Sequence, residues 1–260
     1  MITFFRKIRQ NLLMENKTGK YFKYALGEIV LVVIGILIAL QINTLNENRK
    51  NNEYEHNYLE RILSDLNKDQ TELQRHFKSD TLKLDAFTYI IRAISTDSVR
   101  LNQQSFLSAI NGLGKLNWFE GNDVVFNEMK FSGKLSLISS EALSESIQSY
   151  YKYVEEVIKQ ESLYIMDQRS AIESGNDNFE NSFLREASMP DRWNSNFKDV
   201  SAEDIIRFHE NFNDAQKKEA IKFSLTMKEN IWASNIVRFT LSEKSKATIK
   251  LISDYLDKEK

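Results

Sequence analysis

The chain has 260 residues, a formal net charge of −2, 28% charged residues and no cysteine. Near-neutrality without a basic stripe argues against a nucleic-acid partner, and the lack of Cys excludes disulfides and a cysteine-linked lipid anchor. A single Pro, with only six of the eight Gly outside residues 24–45, points to long helices, and no strand-like alternation competes with that reading.

The chain opens with "ITFFRKIRQNLL", which places Ile2, Phe5, Ile8 and Leu12 on one helical face and Arg6, Lys7 and Arg9 mostly off it. Aliphatic and aromatic residues beside basic ones predict a helix lying in a membrane interface rather than a solvated tail.

Residues 24–45, "YALGEIVLVVIGILIALQINTL", come next. At 1.5 Å per residue they reach about 33 Å, enough for a hydrocarbon core of about 30 Å. About a dozen Leu, Ile and Val residues favour insertion by several kcal/mol, against at most ~3 kcal/mol for the acid Glu28. The twelve residues from Ile29 to Leu40 show no polar face, unlike a core helix. No small-x-small cleavage site follows Leu40, so the segment reads as an uncleaved signal anchor. Six Lys and Arg in residues 1–23 against three in residues 46–67 place the N-terminus in the cytoplasm. The expected organisation is therefore a cytoplasmic basic tail (1–23), a span of the inner membrane (24–45) and a periplasmic domain (46–260).

Two accounts of Glu28 stand side by side. It can reach back toward Lys20 or Lys23, or it can contact a second helix along the small residues Gly27, Gly35 and Ala39. The second account implies a homo-oligomer or another membrane protein as partner, in addition to the lipid bilayer.

Beyond the span, three apolar stripes at helical spacing predict core seams. The first is Ile62, Leu66, Leu73, Phe77, Leu84, Phe87, Ile91 and Ile94, with Asp69 and Asp80 at its gaps. The second is Leu143, Ile147, Tyr151, Val154, Ile158, Ile165 and Ile172. The third is Ile221, Leu225, Trp232, Ile236, Phe239, Ile249, Ile252 and Leu256. Nothing between Ile42 and Phe77 stops the first helix, which can run from the membrane into the domain.

Gly112, Gly114, Gly121 and Gly133 fragment the second region, where Asn122 is the expected N-cap of a helix ending at Gly133. Ser139 or Ser140 caps the next helix, which Gly175 breaks and "SMPDRW" around Pro190 ends. "SAED" at Ser201 forms a capping box with Asp204 before Ile205 and Ile206. The expected fold is all-α: one transmembrane helix followed by an antiparallel bundle of about four helical segments, the second fragmented.

Chemistry is sparse. Glu53-x-x-His56 has the spacing of half a di-iron site, but Glu72 and His76 are four apart rather than three, so the second half is missing. His209-Glu210 opens like a zinc-protease motif, and Asn213 stands where the second His is required. Neither a metal nor a cofactor is expected, and the many Asp and Glu read as solvated faces.

"FFRKIRQNLLMENKTGKYFKYALGEIVLVVIGILIALQINTLNENRK" resembles the N-terminal signature of a domain-of-unknown-function family of single-pass membrane proteins from Bacteroidota-type bacteria. "FNEMKFSGKLSLISSEALSESIQSYY" is similar to a second recurring stretch of that family, through residues 132–135 and the pair Tyr150 and Tyr151. Leu45 stands where the family often carries Trp. The resemblance implies the same topology and brings no activity, cofactor or catalytic residue. Two functions follow: an anchored interaction or sensor-like accessory protein working through protein partners, or an extracytoplasmic hydrolase or metal enzyme whose site converges from distant residues.

Overall fold

From Ile36 to Ser95 the chain contains neither Gly nor Pro, and its backbone forms one helix, α1, over Thr18–Ser95. The computed structural model describes residues 18–96, 118–178 and 213–258, with a few positions between them. Among these, four α-helices and no strand occur: α1, α2 (Val124–Phe131), α3 (Glu141–Asn178) and α4 (Asp214–Lys258), with a 3-10 turn at Lys134–Leu137. The expected interfacial helix at Ile2–Leu12, together with Pro190, Ser201, Asp204, Ile205, Ile206 and His209, lies outside the described residues.

The chain divides into two units, one ending at Asn57 and one beginning at Tyr58. In the first, every residue from Ile29 to Tyr54 is exposed, the whole apolar run included. This helix is long and apolar enough to cross a membrane.

In the second unit the first stripe is the buried face of α1. Ile62, Leu66, Leu73, Phe87 and Ile94 are buried, and Phe77, Leu84 and Ile91 are half-buried. The gap residues Asp69 and Asp80 are buried with them. The second stripe holds through Leu143, Ile147, Tyr151 and Val154. The seam of α3 then passes through Val157 and Glu161, leaving Ile158 exposed and Ile165 half-buried, while the side chain of Ile172 lies outside the described residues. Glu161 is drawn inward by two donors, the Phe119 backbone N–H and Arg238.

The third stripe is corrected. Ile252 and Leu256 are buried and Ile221 and Ile249 half-buried, but Leu225, Trp232, Ile236 and Phe239 face solvent. Over that stretch α4 turns inward Ser224, Met227, Ile231, Ser234, Arg238 and Ser242. The reason lies on the facing helices. Asp80 and Gln70 of α1 and Glu161 of α3 hydrogen-bond Arg238 and Ser242, a match that a Trp or Phe could not make.

Paired contacts give the helix directions. Ser139, Ser146 and Ser149 meet Tyr255, Thr248 and Lys244, so α3 and α4 run oppositely. Leu66, Gln70, Asp80 and Thr88 meet Ser245, Ser242, Arg238 and Lys228, so α1 and α4 do the same.

The connections are specific. Gly121 has φ +73°, and a Cβ there would lie 2.8 Å from Val154 Cγ1, so only glycine fits. Gly133, φ +72°, follows α2 as its left-handed C′ residue, as expected. The N-cap of α2 is Asp123 rather than Asn122, because Asn122 is committed to Asp69. Ser140 caps α3 through Leu143 N–H at 3.4 Å, while Ser139 bonds Tyr255. Gly175 does not break α3, which continues to Asn178; a helical Gly costs only about 1 kcal/mol.

Candidate functional site: a buried ionic layer

The charged side chains that the sequence assigns to solvated faces include several buried ones, and these organise the second unit. Arg238 of α4 donates Nη1–H to Asp80 Oδ2 of α1 at 2.6 Å and Nε–H to Glu161 Oε1 of α3. Glu161 Oε2 accepts the Phe119 backbone N–H at 2.7 Å. Lys83 Nζ lies 3.6 Å from Asp80 Oδ1, one turn along α1. Arg238, Asp80, Glu161 and Lys83 are all buried, and their two cations balance two carboxylates. Burial lowers the Lys83 pKa, against the pull of Asp80.

His76 joins this layer from α1 and is 1% exposed. Its Nε2 lies 3.2 Å from Glu72 Oε1, and its Nδ1 has no hydrogen-bond partner. Burial, then the Arg238 and Arg75 charges, hold its pKa down to about 4, against the opposing pull of Asp80. The ring is therefore neutral at pH 7.

A second polar centre lies along α1. Asp69 Oδ1 accepts the Asn122 backbone N–H at 2.9 Å and its Nδ2–H at 2.6 Å. Asp69 Oδ2 accepts the Tyr150 hydroxyl at 2.6 Å. Burial raises the Asp69 carboxyl above its ordinary range despite these donors. Burial and the Asp69 charge push Tyr150 up as well. Asp69 thus pins the loop before α2 and the N-terminal third of α3 to α1. Gln70 and Ser242 exchange two further bonds, at 2.8 and 3.0 Å.

A third group, exposed on its Arg61 and Glu128 side, surrounds the buried Tyr58. Its hydroxyl donates to Glu128 Oε1 at 2.8 Å and accepts from Lys134 Nζ at 3.1 Å, while Arg61 bonds Glu128 Oε2 at 2.7 Å. Arg61 and then Tyr58 lower the Glu128 pKa.

Of the residues singled out in the sequence, Gly27, Gly35 and Ala39 are exposed and Glu28 half-buried; nothing in the structure lies within 4 Å of a Cβ placed on either glycine. Glu53 is exposed and His56 half-buried. Among the described residues no group of three or more His, Asp and Glu is placed to hold a metal. Chemically, the ionic layer cross-links α1, α3 and α4 with its charges internally compensated. Sequence reading missed Glu161, Lys83 and Arg238. A signal existed for one of them: Glu161 falls between Ile158 and Ile165, in the same kind of stripe gap as Asp69 and Asp80.

No curated protein and no solved structure matches the chain. One family does match, over residues 28–211, more than half of the chain, and covers α2, α3 and most of α1. The chain therefore belongs to that family, the Family of unknown function (DUF6090).

Proposed function

We propose that this protein is a membrane-anchored, single-pass helical protein that acts through protein partners, with its N-terminus in the cytoplasm and its helical bundle in the periplasm. The observation that supports this reading is the complete exposure of the apolar run from Ile29 to Leu40. Each of these large side chains would gain about 1.5–3 kcal/mol on leaving water, and a bilayer supplies that burial along the whole segment. The positive charge before the span supports the orientation. The small residues Gly27, Gly35 and Ala39 beside Glu28 offer a second anchored helix a close approach, from another copy or another membrane protein.

Reporter fusions after Lys50 test the topology. A reporter that works only outside the cytoplasm, on a protein that keeps its N-terminus, supports the anchor. Activity of a cytoplasmic reporter there, or cleavage near Ala39, refutes it.

A further inference from the structure

The two halves of α4 are held by different means. Its C-terminal half contributes Leu241, Ile252 and Leu256 to the main apolar core. Among the described residues, its N-terminal half packs on a smaller cluster, Phe87 with Met227 and Ile231, flanked by Leu84 and Phe223. The rest of its buried face up to Arg238 is Ala220, Ser224 and Ser234, closed by Arg238 itself. Its large apolar residues Leu225, Trp232, Ile236 and Phe239 already face outward. Among the described residues, lifting this half from α1 therefore exposes less apolar surface than lifting the C-terminal half would, and its serines and Arg238 are readily hydrated.

We infer that the ionic layer is an acid-sensitive latch, in which protonation of His76 releases the N-terminal half of α4, from Asp214 to Arg238, while the C-terminal half stays on the core. The geometry sets the sign. His76 is enclosed, and a proton on its unpartnered Nδ1 would meet no acceptor. The groups around it are Glu72, Arg75, Asp80 and Lys83 on α1 and Arg238 on α4, with Glu161 of α3 already bonded to Arg238. A new imidazolium would be a third enclosed cation beside Arg238 and Lys83, offset only by the half-buried Glu72 at its Nε2 and with no acceptor for its Nδ1–H. Detaching Arg238 removes the nearest repelling charge and admits water to His76. Because the closed form binds this proton less readily than the open form, closure is fully favoured above a free histidine's pKa of about 6.5 and weakens as pH falls toward about 4.

The experiment is regional hydrogen exchange on the full chain in detergent micelles at pH 7 and pH 5, corrected for the intrinsic rate. The latch predicts that exchange within 214–238 rises roughly 20-fold in wild type, while 241–258 and 141–157 hold their protection. In His76→Gln, which cannot charge, the rise disappears although Asp80, Glu161 and Asp69 remain. A uniform rise across α1, α3 and α4, no rise in 214–238, or an equal rise in His76→Gln overturns the inference. Should His76→Gln fail to fold, His76→Phe takes its place, and the regional contrast in wild type decides independently of either variant.

Discussion

Arg238 and Asp80 lie 158 residues apart in sequence, and their side chains meet at 2.6 Å with 2% and 4% of their surfaces exposed. With Glu161 as the second acceptor, this contact ties three helices at one point. Taking ions out of water is costly, and the arrangement persists because each group finds an opposite charge and a directed hydrogen bond.

Removing one member should therefore cost far more than a surface charge would. Arg238→Met leaves the buried Glu161 without a cation and Asp80 with Lys83 alone, and should destabilise the second unit by about 3–5 kcal/mol in urea unfolding. Combining it with Asp80→Asn should recover part of the loss. A strictly additive double mutant would show that the two side chains are not coupled.

Tyr150→Phe removes one donor from the buried Asp69 carboxylate while keeping the ring. A loss of about 1–3 kcal/mol is expected, with α-helix content unchanged by circular dichroism. Asn122→Ala takes away only the Nδ2–H donor, since the backbone N–H remains, and should cost less than Tyr150→Phe in the same assay.

The two left-handed glycines should respond differently to alanine. Gly121→Ala meets both an unfavourable φ and Val154 Cγ1 at 2.8 Å, whereas Gly133→Ala meets open space. We expect about 1–2 kcal/mol for Gly133→Ala, and a distinctly larger drop in Tm for Gly121→Ala. Equal losses would mean that the Val154 contact relaxes without cost.

Aspartate at Ile147 and at Ile236 separates the observed core from the apolar pattern. Ile147 is fully buried, so Ile147→Asp should unfold the second unit, a buried unpaired charge costing several kcal/mol. Ile236 is 47% exposed, and Ile236→Asp should change stability by less than about 1 kcal/mol. Thermal melts of the two variants distinguish them directly.

In the proposed span, Gly35→Leu blocks close approach and Glu28→Leu removes the only acid while easing insertion. If Glu28 lies in a helix–helix contact, both variants should weaken self-association or partner association in a membrane dimerisation assay at matched expression. If Glu28 only reaches toward Lys20 or Lys23, Glu28→Leu should leave association unchanged.

Much of this architecture is written locally. The uninterrupted helix α1, the apolar face of its second unit, the Gly133 stop and the Ser140 cap each follow from residues within a turn or two of one another. Local steric and hydrogen-bond rules need no tertiary information. The apolar run at residues 29–40 is equally legible, because hydrophobicity without a polar face has few uses in water. What tertiary structure alone decided is which face of α4 turns inward. An apolar stripe and a Ser/Arg stripe coexist on that helix, and periodicity ranks the first higher. The partners that favour the second, Asp80 and Glu161, lie on other helices and are invisible to a helical wheel. The fate of Asn122 was decided in the same way, by Asp69 across the fold. A charge is stable in a protein interior only opposite its complement, and that complement is located by the packing of distant segments.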